Sequence, residues 1–300
     1  MEQRKKLVVI LGPTAVGKTA LAIRVAQHFK TEIISADSRQ FFHELNIGVA
    51  RPSIKELSAV PHHFIDFISV EDHYSAGAYE RDALDKVATL FSVHDVVVCC
   101  GGSMMYIDAL TEGLDELPSD KAIREDLNND LVKNGKQFLQ QKLLLLDPDY
   151  YAMVDTENPH RIIRALEVCM ITGKKYSELR TSSMRKRNFD IVMIGLSADR
   201  TWLYDRINKR VDEMMNAGLL DEAKHVYAMK NLNALNTVGY KELFDFLEGK
   251  CSLPEAVAKI KQHTRNFAKR QLTWWRRDEE IHWIGVDVCD DLVTAALRII

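Results

Sequence analysis

The chain has 300 residues, of which 46% are hydrophobic, enough for one large domain or two modest ones with a sizeable core. Its formal net charge of -3 excludes bulk attraction to nucleic acid, so any such site has to be a local patch. Five cysteines (Cys99, Cys100, Cys169, Cys251, Cys289) form no CxxC pair, which indicates neither a zinc site nor a disulfide framework. They read as buried thiols in a reducing compartment. The basic N-terminus leads into an apolar run too short for a secretion signal, and no stretch is long enough to span a bilayer. A cytoplasmic protein is expected.

Residues 7–11 (LVVIL) read as a buried parallel strand. Residues 12–19, GPTAVGKT, follow directly and fit the Walker A pattern. Leu21, Val25 and Phe29 then recur at helical spacing. Strand, glycine loop and helix together make an anion site, because loop and helix-end N–H groups point at phosphate oxygens. Gly12, Pro13, Thr14, Ala15, Val16 and Gly17 are the candidate cradle. Lys18 adds a point charge, and the Thr19 hydroxyl is a candidate ligand for Mg²⁺. The loop implies a diphosphate or triphosphate without saying which reaction.

A second strand over 32–35 (EIIS) delivers Asp37, Ser38, Arg39 and Gln40 to a strand end, where ligands sit in open α/β sheets. An Asp after a strand serves equally as a turn or helix-cap residue. Residues 62–68 (HHFIDFI) are a possible strand, 74–94 carry helical periodicity, and 95–100 (DVVVCC) are a buried strand followed by a short helix through Met105 and Leu110. The alternation predicts a parallel doubly wound sheet. DVVVCC closes on Gly101 and not on the acid that a nucleotide-hydrolysing enzyme carries there, which leaves Asp37 as the carboxylate nearest the chemistry.

From about Leu117 the β-branched runs stop and helices are expected, one of them opened by Asn158 and Pro159 and closed by Gly173. Ile162, Ile163, Leu166 and Met170 form its apolar stripe, with His160, Arg161 and Arg164 off it. Residues 181–188 (TSSMRKRN) read as a mobile basic loop, and 190–196 return to strand. The expected architecture is therefore a P-loop NTPase-like parallel sheet core, 1–116 and 188–300, with a mainly helical insertion at 117–187. The last third is helical. Arg206 and Arg210 share a face, and on a helix over 255–275 Val257, Ile260, Phe267 and Trp274 form the apolar stripe. Lys261, Arg265 and Lys269, with Arg270, Arg276 and Arg277, form a cationic ridge, which as a pattern is also what a solvated helix face shows. Arg185, Lys186 and Arg187 make a second basic cluster.

Seven ordered motifs resemble the tRNA dimethylallyltransferase (isopentenyl-tRNA transferase) family over nearly the whole chain. GPTAVGKT is similar to its GPTASGKT, with Val16 for Ser, and ISADSRQ matches its (I/V)S(A/V)DSxQ element. NIGVARPS is similar to its D-IGTAKP loop, with Val49 and Arg51 as departures. CGGSMMYI is similar to GGTxLY, with Ser103 for Thr, and HRIIRALEV to QRxxRALE, with His160 for Gln. TVGYKE is similar to IGY(R/K)E/Q, with Asn236 and Thr237 ahead of the shared part, and TRNFAKRQLTWWRR to TRxxAKRQxTWxR. No zinc-finger pattern follows the last motif, as in the family's bacterial branch.

The resemblance implies transfer of a dimethylallyl group from dimethylallyl diphosphate to the N6 amine of the adenosine 3′-adjacent to the anticodon of tRNA. It implies Mg²⁺ as cofactor, the anticodon stem-loop as partner, no membrane, and a monomer. Lys18, Thr19 and Arg210 would serve the diphosphate, and Asp37 would serve the attacking N–H. Asp37, Ser38, Arg39, Gln40 and Ser103 would meet the tRNA, with Gln40 reading the edge of the target adenine and Ser103 near it. Arg124, then His160, Arg161, Ile162, Ile163 and Arg164, then Asn236, Thr237, Val238, Gly239, Tyr240 and Lys241, then Arg265, Lys269 and Arg270, would hold the RNA. The motif residues alone leave two other classes open: a P-loop kinase of a small metabolite, and a non-catalytic nucleotide-gated RNA-binding module.

Overall fold

The computed structural model describes residues 4–181 and 185–300. Ser182, Ser183 and Met184, inside the stretch expected to be a mobile loop, lie outside the described residues. The chain forms two compact units, 1–112 with 186–300, and 113–185.

In the first unit, β1 (Lys6–Leu11) is followed by α1 (Lys18–Phe29), β2 (Ile33–Ala36), α2 (Ile54–Ala59), β3 (His62–His63), α3 (Ala76–Phe91), β4 (Val96–Gly101) and α4 (Met104–Thr111). In the second, α5 (Lys121–Leu146), α6 (Pro148–Met153), α7 (Pro159–Thr172) and α8 (Tyr176–Leu179) make an all-helical body. The chain then returns to the first with β5 (Asp190–Ser197), α9 (Arg200–Asn216), α10 (Leu219–His225), α11 (Tyr240–Leu247), α12 (Leu253–Trp275), β6 (His282–Gly285) and α13 (Leu292–Leu297).

The six strands form one all-parallel sheet in the order β3-β2-β4-β1-β5-β6. Leu7 to Leu11 are fully buried because helices cover both faces, which is why β1 is apolar at every position and does not alternate. From β1 the chain runs to one side through β2 to β4 and to the other through β5 and β6. The carboxyl end of β1 is thus a topological switch point, the place where open α/β sheets take ligands. The strand expected over 62–68 shrinks to His62–His63, because Phe64 and Asp66 adopt left-handed φ of 61° and 56° and cannot continue a ladder.

The helical unit buries Leu127, Leu139, Leu143, Tyr150, Ile162, Ile163 and Leu166 together. Its longest helix is broken at Gly135 (φ 77°, ψ 172°). α7 begins and ends as its sequence dictates: Asn158 Oδ1 accepts from the His160 and Arg161 N–H groups, Pro159 occupies the first turn, and Gly173 closes it at φ 67°. Among the described residues, no helix is long and apolar enough to cross a membrane.

Candidate active site

The loop after β1 needs unusual backbone. Gly12 has φ 144°, and a Cβ there would sit 2.6 Å from the Leu196 carbonyl of β5. Ala15 (φ 66°) and Gly17 (φ 108°) are both left-handed, and Gly17 caps α1. Lys18 is the first helical residue, and its ammonium donates to the Gly12 and Pro13 carbonyls, each at 2.9 Å. Desolvation lowers its pKa from 10.5 to about 8. The charges of Cys100 and Asp37 act against that shift, and Arg210 adds to it. Val16 packs into the core and offers the loop's backbone only.

Three cations lie within the electrostatic reach of one carboxylate beside this loop. Asp37 ends the segment after β2, and its Oδ1 accepts the Arg39 N–H at 3.0 Å, forming an Asx turn. Burial lowers the guanidinium pKa of both Arg39 and Arg210, and the charge of Asp37 opposes the shift in each, as it does for Lys18. Arg210 Nη1 reaches Thr14 Oγ1 at 3.4 Å, and Arg206, one turn earlier on α9, donates to the Ala15 carbonyl at 3.0 Å. Ser103 Oγ accepts the Ser38 N–H at 2.8 Å and donates to Ser38 Oγ at 3.0 Å, so the β2 and β4 loops are laced together.

These groups border a cavity of about 960 Å³ lying wholly in the first unit. Its wall includes Thr14, Asp37, Ser38, Arg39, Ser103 and Arg210, and also Asn236, Thr237, Val238, Gly239, Lys241 and Arg270. Gly102 lines it too, and a Cβ on Gly102 would come 3.6 Å from Lys18 Nζ. Its apolar lining includes Val49, Ile207, Val211, Met214 and Phe267. Phe267 is thus a cavity-wall residue and not part of the buried seam of α12, which is Ala256, Ile260, Ala268, Gln271 and Trp275.

A sequence model of the IPP transferase family matches residues 40–278. The tRNA dimethylallyltransferase of Christiangramia forsetii is 56% identical over 282 residues, which is 94% of this chain and 93% of that protein. This chain belongs to the IPP transferase family, that of the tRNA dimethylallyltransferases. Among solved structures, the full-length tRNA isopentenylpyrophosphate transferase of Bacillus halodurans is 35% identical with a TM-score of 0.71, covering 99% of this chain and 94% of that one. A eukaryotic dimethylallyltransferase described as acting on tRNA gives a TM-score of 0.77 at 25% identity, over 94% of this chain and 74% of that one.

Several residues marked by the family motifs do other work here. Ile162 and Ile163 are core side chains, 0% and 4% exposed, so neither has a side chain to offer RNA. Tyr240 is likewise fully buried, with its hydroxyl on Glu222. The Gln40 Nε2 group donates to the Val49 and Ala50 carbonyls, so this side chain also holds the neighbouring loop. Arg124 and Arg164 both donate to the fully buried Glu167. Burial acts to raise the Glu167 pKa, but these two arginines and the Asp120 N–H hold it below the usual value. Arg187 is buried on Glu80, whereas Lys186 is exposed. Arg265 donates to Asn208 and lies over the Tyr204 ring; Lys269, His160 and Arg161 are exposed.

Gln271 went unmarked by the sequence. It is 1% exposed, accepts the Thr14 N–H at 2.9 Å and donates to the Gly102 carbonyl at 2.7 Å. It lies inside the TRNFAKRQ motif, so the signal was present, but nothing there names its partners.

Proposed function

We propose that the protein transfers a dimethylallyl group from dimethylallyl diphosphate to the exocyclic N6 amine of the adenosine 3′-adjacent to the anticodon in tRNA, releasing diphosphate. It works as a monomer in the cytoplasm. The observation that carries this reading is the family match along the chain, joined to one cavity that holds Asp37 and Arg210 beside a phosphate loop. Prenyl transfer, unlike nucleotide hydrolysis, does not call for an acid closing β4, which ends in Gly101.

The loop amides and Lys18 hold the diphosphate, and Arg210 meets it from α9. As the bond between C1 and the diphosphate oxygen breaks, these groups take up the charge that develops on the leaving oxygen. The adenine leaves its stack to enter the cavity. Its amine attacks C1, and Asp37 accepts the proton the amine sheds. Asp37 Oδ1 is fixed by the Arg39 N–H, which orients the carboxylate.

Among the described residues no group of three or more His, Cys, Asp and Glu forms a metal cage. A Mg²⁺ carried on a diphosphate needs only one or two protein oxygens, and the Thr19 hydroxyl at the start of α1 fits that hard-oxygen requirement. When bound, it neutralises diphosphate charge.

Incubation with unmodified tRNA, Mg²⁺ and dimethylallyl diphosphate, followed by nucleoside mass spectrometry, tests the reading. A dimethylallyl adenosine is expected. Turnover that consumes ATP stoichiometrically, or tight RNA binding with no product, would overturn it.

A further inference from the structure

Glu222, on α10, spends its carboxylate on a loop that is distant in sequence. Oε2 accepts the Asn46 and Ile47 N–H groups at 3.1 and 2.8 Å, and Oε1 accepts the Gly48 N–H at 2.8 Å and the Tyr240 hydroxyl at 2.6 Å. Three successive amides converging on one anion form a backbone nest. The loop also lies flush on the Tyr240 ring, since a Cβ on Gly48 would come 2.6 Å from both Cζ and Oη. Burial, then the charge of Glu222, pushes the Tyr240 hydroxyl above its ordinary pKa, so it stays a donor.

The clamped loop leads to the chemistry by hydrogen bonds. Gly48, Val49 and Ala50 line the cavity. The Val49 and Ala50 carbonyls accept from Gln40 Nε2 at 3.3 and 3.1 Å. The Gln40 N–H donates to the Asp37 carbonyl at 3.2 Å, in the same turn where the Arg39 N–H holds Asp37 Oδ1. Just beyond the loop, Arg51 donates to the Phe42 and Leu45 carbonyls at 2.7 and 2.6 Å and pairs with Asp66 at 2.7 Å. The segment is therefore held at both ends, and Glu222 supplies the hold next to the cavity.

We propose that Glu222 is a positioning residue for the transfer: by gathering the amides of Asn46, Ile47 and Gly48 it fixes the carbonyls that hold Gln40, and so the turn that aims Asp37. This rests on the transferase reading above. A carboxylate is needed because the four side-chain hydrogen bonds of Glu222 are all made as an acceptor. In Glu222→Gln one atom becomes an NH₂ that faces N–H donors.

The test has a kinetic arm and an arm independent of activity. In Glu222→Gln, amide hydrogen exchange is expected to speed up at 46–50 and also at 37–40. The single-turnover rate at saturating substrates is expected to fall about tenfold or more, as misaligned reacting groups do, with tRNA affinity within about twofold of wild type. Gln40→Ala should cost a similar factor, and the double variant little more than the worse single one, because both act through one chain of hydrogen bonds. Should Glu222→Gln fail to fold, Tyr240→Phe removes one donor, keeps the ring against Gly48, and should still speed exchange at 46–50. Unchanged exchange at 37–40 in folded Glu222→Gln, a rate within about twofold of wild type, or losses that multiply in the double variant would each overturn the proposal. A wild-type protein that makes no dimethylallyl adenosine defeats the transferase reading separately, and the exchange arm still decides whether Glu222 governs the Asp37 turn.

Discussion

Gln271 and Thr14 are joined side chain to backbone across 257 residues of sequence, with Oε1 accepting the Thr14 N–H at 2.9 Å. Because the same amide donates to the Gly102 carbonyl, α12 sets the spacing between the phosphate loop and the β4–α4 turn. Gln271→Ala would leave the buried Gly102 carbonyl and the partly buried Thr14 N–H without this partner, a loss of about 1–3 kcal/mol for the buried group and less for the other. Part of that loss should appear in binding, and the KM for dimethylallyl diphosphate is expected to rise about tenfold, with a lowered melting temperature. Steady-state kinetics beside a thermal melt would check it. An unchanged KM in a destabilised variant would make Gln271 a fold residue only.

Asp37→Ala should act on rate. A positioned base contributes about 10²–10⁴-fold, and tRNA affinity should change little, since the cavity's cations remain. Single-turnover kinetics on the variant measure this directly; a rate within a few-fold of wild type would remove Asp37 from the proton transfer.

The contrast between these two residues explains what was legible in the sequence. The central strands were readable because buried parallel strands are unbroken apolar runs, as in residues 7–11 and 95–100. The backbone of the loop after β1 and the place of Asp37 just beyond β2 were readable because both are carried by local spacing. Gln271 and Glu222 were not, because a buried polar side chain is explained only by its partners, which here are backbone amides far away in sequence. α2 escaped notice for a simpler reason: it is six residues long and buries none of them, so it has no periodicity to show. The reverse error came from carrying a motif whole. Ile162, Ile163 and Tyr240 sit among residues that resemble RNA contacts, yet each packs inward.

Lys18 should give the reaction an alkaline limb. In the free protein its pKa is lowered to about 8, chiefly by burial. Diphosphate capture favours the protonated form, so kcat/KM for dimethylallyl diphosphate is expected to fall as pH rises past about 8. Bound diphosphate supplies counter-charge, so the limb in kcat should lie higher. For stability the sign is opposite. Between pH 8 and 10.5 the unfolded chain binds the proton and the folded chain does not, so stability gains as pH rises through that window. A kcat/KM profile that stays flat to pH 10 would show that the Lys18 charge is not needed for capture.

Asp108 offers a stability test away from the cavity. Burial, then the charge of Glu112, raises its pKa from 3.8 to about 7, while Trp274 Nε1 donates to its Oδ2 at 2.9 Å and opposes the rise. Between pH 3.8 and 7 the folded chain binds the proton and the unfolded chain does not, so stability falls as pH rises through that window. Asp108→Asn keeps an acceptor for Trp274 without the charge. Its melting temperature should exceed that of wild type by about 2 °C or more at pH 8 and by less at pH 5, the difference vanishing only below about pH 3.8. A variant less stable at both values would show that the carboxylate is worth more to Trp274 than its charge costs.

The basic segment before β5 divides into two kinds of residue. Arg187 Nη2 lies 3.0 Å from Glu80 Oε1, with side-chain exposures of 9% and 8%. It also donates to the Ala109 and Leu110 carbonyls at 2.7 and 3.0 Å. Removing one partner of a buried pair costs about 3–5 kcal/mol, and here the guanidinium's bonds to two backbone carbonyls are lost with it. Arg187→Ala should therefore lower the melting temperature by about 6 °C or more. In the fraction that stays folded, it should leave the salt dependence of tRNA binding unchanged. Lys186 and Lys269 are exposed and should behave the other way. With a net charge of -3, attraction to RNA has to come from such local cations within about a Debye length, roughly 8–10 Å. Phosphate contacts of this kind hold RNA without reading its bases. The Lys186→Ala, Lys269→Ala double variant should thus melt like wild type, weaken every tRNA alike, and flatten the slope of log affinity against log salt by about 0.7–0.9 for each phosphate that is no longer neutralised. Affinities at four or five salt concentrations, read beside the melts, separate the two behaviours. A flatter slope in Arg187→Ala at full stability would mean that this guanidinium leaves Glu80 to meet the RNA.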